Sequence, residues 1–436
     1  MNGLPLLTLL LFLVIFFLVQ MDLVNRGVAM LGGGVIFLLI GGVFGFYRPG
    51  QAMEAIYFDT LALLFGMSMI SDCLLRAGLF HHLALRVVLF SRGNGMLLLV
   101  SLVLITYAAS LIFNNLSVMV ILVPMTLAIC RTLVMDPAPV VSAELIASNL
   151  GGASTLVGDL PNMIIGAVGR LHFEDFLAAM MPLCLVLLAV LLVYFTRRMA
   201  PDRVARFDPE TVRRALTECA PPGGGIDPYL MKVGGWVFLM TLSGFLIAPV
   251  LGVRPAAITL LAGILILGWG RLPVGAWFQA MGGAELMFFV GLFVMVGGLR
   301  AAGVLDGLYQ MVLGIGGGNG SLAILALMWL AFLLTPLFNA GPATALLVPV
   351  AKALHGELGD NAVWWALSLG ILAGSSATLS GATAGPVVAG MMSRAIPPGG
   401  ASSFRVLDFH GYLAWGLPAA AIFLCMASFH ILLIAG

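Results

Sequence analysis

The chain has 436 residues, of which 61% are hydrophobic and 9% charged, with a formal net charge of +1. A soluble fold carries roughly 25% charged residues to cover its surface, so a soluble globular protein is excluded. The near-zero net charge leaves no electrostatic footing for nucleic acid. Apolar runs of about 20 residues, the length of a membrane-crossing helix, recur from end to end. Their continuity also excludes the short alternating strands of a membrane barrel.

Taken in chain order, apolar segments are predicted near Leu4–Met21, Val28–Phe46, Thr60–Leu75, Met96–Leu133, Ala143–Val168 and Phe176–Phe195. The first lacks a basic start and a small-residue cleavage site, so it reads as a membrane helix and not a signal peptide. A polar stretch follows, Arg197–Asp227, holding Arg197, Arg198, Arg203, Arg206, Arg213 and Arg214. Basic loops stay on the cytoplasmic side, which places this linker there. Further segments fall near Val233–Val250, Ala256–Gly270, Glu285–Leu299, Leu322–Leu354, Ala362–Met392 and Tyr412–Ala435.

The two halves repeat. Gly93-Asn94-Gly95 returns as Gly318-Asn319-Gly320, Phe113-Asn114 as Phe338-Asn339, and Leu122-Val123-Pro124 as Leu347-Val348-Pro349, all at one constant offset. Leu75-Arg76-Ala77-Gly78 is echoed by Leu299-Arg300-Ala301-Ala302-Gly303. Arg86, Arg92 and Arg131 of the first copy become Met311, Gly317 and Gly356 in the second. A basic face that turns neutral at the same place in the repeat implies copies of opposite orientation. The expected organisation is an all-α polytopic membrane protein with ten spans and two re-entrant hairpins. Its first inverted repeat is residues 1–196, with a hairpin at 96–133 and a broken helix at 139–168. The linker is 197–231. The second repeat is 232–436, with a hairpin at 320–355 and a broken helix at 362–392. This topology puts Arg271, Arg394 and Arg405 on the cytoplasmic side and leaves Arg300 as an exception.

Irregular backbone at membrane depth is tolerated only inside protein or around a cavity. Four breaks carry the polar residues. The first hairpin tip is Asn114-Asn115-Leu116-Ser117, and the first broken helix runs through Gly151, Gly152, Thr155, Gly158, Asp159, Pro161 and Asn162. The second tip is Asn339-Ala340-Gly341-Pro342-Ala343-Thr344, and the second broken helix holds Ser375, Ser376, Thr378 and Gly381. Glycine and proline free the backbone there, while amides and hydroxyls supply neutral donors and acceptors. Half-helix ends add partial charges. Small residues for close helix packing are the plainer alternative.

Asp159 is the one carboxylate inside these motifs. A charge at this depth is a functional hypothesis by default, and a proton carrier must alternate between charged and neutral forms. The alternative is a cap on the second half-helix, through N–H groups near Pro161 and Asn162. Glu144 reads as a helix-start carboxylate, Asp72 with Arg76 as a local pair, and Lys352 as an outward-reaching side chain. Asp59 and Glu285 read as interfacial. His81 and His82 fall on an amphipathic stretch, Leu79–Phe90. Cys73, Cys130, Cys184, Cys219 and Cys425 have no metal or redox spacing, so no metal site and no cofactor are expected.

These motifs resemble the ion transporter superfamily, and within it the group of ArsB-type arsenite efflux permeases, NhaD-type sodium–proton antiporters and the melanosomal P protein. The likeness rests on Asn149-Leu150-Gly151-Gly152 through Gly158-Asp159-Leu160-Pro161-Asn162, on Phe113-Asn114-Asn115-Leu116-Ser117, and on Thr60–Met67 and Ser91-Arg92-Gly93. It implies inverted repeats, a scaffold that dimerises, a mobile transport domain holding the hairpins and broken helices, and in some members an ATPase subunit. The chain departs from that pattern. Asn114-Asn115 and Asn339-Ala340 stand where relatives often have Asp-Asn, and Ser375-Ser376-Ala377-Thr378 and Gly385 replace an asparagine-bearing motif. A sodium site favours net negative oxygen ligands, whereas this set suits a neutral polyhydroxy solute. The expectation is efflux of arsenite or antimonite against proton influx. Asn114, Asn115, Ser117, Thr155, Asn339, Thr344, Ser376 and Thr378 would contact the solute or orient its backbone, and Asp159 would carry the proton. The alternatives are sodium–proton exchange and transport of an anion such as dicarboxylate or sulfate. A channel fits the repeat poorly, and no enzyme motif is present. The compact chain without a targeting segment points to a prokaryotic inner membrane.

Overall fold

The structure, a computed structural model, describes residues 3–21, 23–199, 206–218, 227–270, 275, 283–395 and 407–435. Arg203, Cys219, Arg271 and Arg405 lie outside the described residues. Within them the chain forms 21 helices and no sheet, so it is an all-α polytopic membrane protein.

Polar caps start the helices where the apolar runs begin. The side chains of Asn94 and Asn319, matched by the internal repeat, accept from the backbone N–H groups of Leu97 and Leu322 at 3.1 and 3.2 Å. Asp136 and Asp227 cap helices whose first residues are Pro137 and Pro228. A cap oxygen and an early proline each suit a helix start, where N–H groups lack partners.

By length and composition, seven helices can cross a membrane alone, or eight when the bent pair Glu285–Ala301 and Val304–Gly316 counts as one. The remaining expected spans are shorter or broken helices. Leu4–Gln20 and Pro255–Gly270, at 17 and 16 residues, are slightly short. Pro137–Ala153 and Ala362–Ala377 end at backbone breaks.

Burial sorts the helices into an outer and an inner set. Leu4–Gln20 and Pro228–Leu251 expose Leu10, Val14, Phe17, Trp236, Leu239 and Val250. Such surfaces require lipid or partner cover. Every residue of Ala362–Ala377 is buried, and every residue of Pro137–Ala153 except Pro139, the signature of helices enclosed on all sides.

The two halves exchange partners. Arg26–Phe44 packs on Gly283–Ala301, and Phe58–Arg76 packs on Pro255–Gly270. Both crossings close over a glycine. A Cβ on Gly66 would lie 2.2 Å from the Thr259 carbonyl oxygen, and one on Gly291 would lie 2.2 Å from the Met30 carbonyl carbon. These glycines are separated by the same offset as the repeated motifs. Small residues let membrane helices approach to backbone contact.

The hairpin arms are exchanged as well. Asn115–Thr132 packs on Gly385–Ala395, and Ala340–Leu358 packs on Leu160–Gly169. The linker contributes one helix, Pro209–Glu218, whose buried Val212 and Leu216 face Leu79–Phe90 and Asn115–Thr132. Phe207 N–H also donates to the Gly93 carbonyl at 2.9 Å.

Candidate functional site

The first break begins where Pro137–Ala153 stops and ends where Leu160–Gly169 starts. Close packing admits only glycine at its edge: a Cβ on Gly151 would meet the Tyr107 carbonyl oxygen at 2.3 Å, and one on Gly158 the Ser110 oxygen at 2.4 Å. Thr155 Oγ1 donates to the Leu111 carbonyl at 2.5 Å and accepts from Gly158 N–H at 3.1 Å. Asn162 Nδ2 reaches back to the carbonyls of Gly152, Ala153 and Thr155 at 3.3, 2.9 and 2.8 Å. Carbonyls released by the helix break are thereby satisfied.

The second break uses the same device. Thr378 Oγ1 accepts from Gly381 N–H at 3.0 Å, and Ser380 Oγ donates to the Pro336 carbonyl at 2.9 Å. Asn339, at φ +70° and ψ 159°, donates from Nδ2 to the carbonyls of Ser380 and Ala382, both at 3.0 Å. That backbone region is nearly restricted to glycine, so the two side-chain bonds hold the tip in a costly conformation.

All four breaks meet. Ala340 N–H donates to the Gly381 carbonyl at 3.1 Å. A Cβ on Gly341 would lie 3.0 Å from Leu160 Cδ2, which brings the second tip to the first break. Asn149 Nδ2 donates to the Ser375 carbonyl at 3.1 Å, and Ser368 Oγ to Asn162 Oδ1 at 2.7 Å. On the other side, a Cβ on Gly152 would lie 2.8 Å from Asn115 Oδ1 and 2.8 Å from Asp159 Cβ. Asn115, Gly152 and Asp159 are therefore neighbours.

The geometry divides the polar residues of the breaks by what their side chains already bind. Asn114 caps its helix through Leu116 N–H at 2.9 Å. Thr344 bonds back to the Ala340 carbonyl at 2.7 Å. Thr155, Thr378, Asn162 and Asn339 hold loop backbone, as above. Ser117 is half-buried just beyond the tip. Asn115 and Ser376 differ: both are fully buried, and Asn115 Oδ1, Asn115 Nδ2 and Ser376 Oγ have no partner. Buried polar atoms are nearly always paired, so these three atoms stand apart from the other polar groups of the breaks.

Asp159 is the N-cap of Leu160–Gly169 and accepts from Leu160 N–H at 2.9 Å. The cap bond thus goes to the N–H of Leu160, the residue before Pro161. The carboxylate is buried and has no ion-pair partner among the described residues. Glu144 is a further correction. It lies mid-helix, not at a helix start, because the helix begins at Pro137 behind the Asp136 cap. It is fully buried, with Thr126 Oγ1 donating to Oε1 at 2.7 Å. The Asp136-Pro137 pair is the available sequence signal for the earlier start. Asp72 and Arg76 do pair, at 2.6 Å, and Asp59 pairs with Arg254 at 2.9 Å.

Two cavities border the breaks. One, of about 610 Å³, is lined by Leu156, Gly166, Arg170, His172, Arg254 and Lys352 among others. The second, of about 560 Å³, includes Glu54, Tyr57, Arg300, Asp306 and again Lys352.

Residues 11–370 match the citrate transporter family. The magnetosome protein MamN of Magnetospirillum gryphiswaldense is 39% identical, covering 98% of this chain and 99% of its own. A 46 kDa membrane protein of Mycobacterium leprae is 30% identical over 86% of this chain and 88% of its own. The crystal structure of the YdaH transporter of Alcanivorax borkumensis superposes with a TM-score of 0.56 at 15% identity, over 88% of this chain and 86% of that one. The similarity is to the citrate transporter family and not to arsenite permeases in particular. The chain is a membrane transporter that belongs to the citrate transporter family.

Proposed function

We propose that the protein is a proton-coupled secondary transporter of a small, oxygen-rich solute of the carboxylate class. The observation that carries this reading is the Asn115 amide, buried with both polar atoms unpartnered beside Asp159. A solute that both donates and accepts hydrogen bonds satisfies that amide and the Ser376 hydroxyl together. Asp159 has no basic partner among the described residues, so it is comfortable at this depth only when neutral or facing a cation. Proton uptake there also removes its repulsion of an anionic solute. Loading of solute and proton is thereby linked through one site.

The citrate description of the family supports a carboxylate. So does the first cavity, where Arg170 and Lys352 stand without an acidic partner among the described residues and leave a net positive wall. Movement of the hairpins and broken helices against the exchanged helix pairs would open this site to each side in turn. The halves then have opposite orientations, and the linker face, with Arg92, Arg131, Arg197, Arg198 and Arg394, is cytoplasmic. One observation favours a second solute: the breaks contain no lysine or arginine, which suits neutral arsenious acid.

The test is flux in proteoliposomes with an internal pH dye, offering citrate, arsenite and sodium separately. Citrate-driven proton movement, abolished by Asp159→Asn, is the expected result. Proton movement with arsenite alone moves the solute to the second reading. Sodium-driven proton movement without either solute overturns both and makes Asp159 a cation ligand.

A further inference from the structure

Glu144 is a carboxylate that the site above does not use. It sits in the middle of an enclosed helix, bonded through Oε1 to Thr126, while Oε2 has no partner. As an anion it lacks a counter-charge, and as an acid its O–H lacks an acceptor. Either state leaves a polar atom unsatisfied in low dielectric, which is costly.

The internal repeat shows that the fold does not require it. Aligned on Gly151 and Gly374, Glu144 falls on Leu367, and in the constant register of the hairpin motifs Thr126 falls on Ala351. Leu367 and Ala351 are both fully buried. The second half therefore builds the same helix junction from apolar groups. The acid and its hydroxyl partner are an addition to the first half alone.

Charges do not explain it either. The helices packed on Pro137–Ala153 carry the titratable groups Tyr107, Cys130, Arg131, Cys184, Tyr194, Arg197, Arg198, His410, Tyr412, Cys425 and His430. Among the described residues, no cation forms an ion pair with Glu144. Glu144 precedes Gly152 by about two helical turns, roughly 12 Å along the helix axis. That puts it between the solute site and the end of the hairpin on which the linker helix lies.

We propose that Glu144, held by Thr126, is a second proton-binding site, distinct from Asp159 and loaded and emptied during transport. The inference rests on the proton-coupled reading above, and its test separates the two. The first readout needs no solute: the carboxylic-acid carbonyl band in infrared difference spectra of the purified protein, titrated across about pH 5–9. Glu144→Gln keeps the size and the acceptor for Thr126. It should remove one titrating band that Asp159→Asn leaves in place. The second readout is the proton-to-solute ratio in proteoliposomes, which should fall by one in Glu144→Gln while solute flux persists. A Glu144→Leu, Thr126→Ala double variant, copying the second half's junction, should fold and give the same lowered ratio. An unchanged band set, a Glu144 band that does not titrate, or an unchanged ratio overturns the proposal. Loss of coupling in Asp159→Asn, or its absence, bears on the primary reading alone.

Discussion

Ser368 Oγ donates to Asn162 Oδ1 at 2.7 Å, joining the two broken helices through one buried bond. The same amide holds three carbonyls of its own break through Nδ2. Asn162→Ala strands all four groups, and each buried unsatisfied group costs about 1–3 kcal/mol. The purified variant should melt well below the parent in detergent and lose flux. Asn162→Asp keeps the acceptor for Ser368 but loses the donor, and should be destabilised in the same sense.

Glycine at the break edge is required by contact. Gly151→Ala and Gly374→Ala drive a methyl to 2.3 Å from the Tyr107 oxygen and 2.6 Å from Thr335 Cβ. Overpacking of this kind costs about 1–3 kcal/mol, to be read as a lowered melting temperature. Gly42→Ala, where nothing lies within 4 Å, is the control. It should be neutral, or more stable by up to about 1 kcal/mol.

Asn339 separates strain from bonding. Its backbone conformation costs about 1–3 kcal/mol in a residue other than glycine, and its amide makes two bonds in return. Asn339→Gly loses the bonds and the strain together, so its melting temperature should stay near the parent's. Asn339→Ala loses the bonds and keeps the strain, and should be the least stable of the three. An alanine variant as stable as the glycine variant contradicts this account.

The breaks are readable from sequence because glycine, proline and small polar residues have few other uses at membrane depth. The constant register of the repeat is equally open, since paired motifs report a repeat without any structure. Hydroxyl partners are not readable. Thr344 bonds within its own turn, and Thr155 crosses to Leu111, yet nothing in either local sequence distinguishes them. That Ser376 and Asn115 are unpaired emerges only when all neighbours are placed. Glu144 misleads for a related reason: hydropathy locates a helix along the chain but does not say how many other helices surround it.

The linker helix offers a test outside the membrane. Burying Val212 contributes about 1.5–3 kcal/mol, so Val212→Asp should release the helix. Tryptic cutting at Arg213 and Arg214 should then accelerate by roughly tenfold or more, when cleavage tracks the open population.

Docking of this helix also has a predictable pH dependence. The Thr211 hydroxyl, followed by the Glu210 N–H, holds the Asp208 carboxyl below its ordinary range. A depressed carboxyl contributes stability above its unfolded value of about 3.9 and loses it as pH falls through the folded value. Protection from an acid-tolerant protease should therefore be flat from about pH 8 to 5 and decline only below about 4. Asp208→Asn should reduce that acid-side decline, the remainder coming from Glu210, which the Arg213 hydrogen bond also holds below its ordinary range.

The exchanged helix pairs bear on how such a chain could arise and be made. Gly66 closes on Thr259 and Gly291 on Met30, so each half supplies the groove that the other half's glycine helix fills. A ribosome that has finished only the first half has inserted helices whose complementary faces do not yet exist. Those faces must wait in lipid until the second half follows. For the same reason, a gene encoding one repeat before duplication could have built this scaffold only by pairing two copies of its product, lying head to tail across the bilayer.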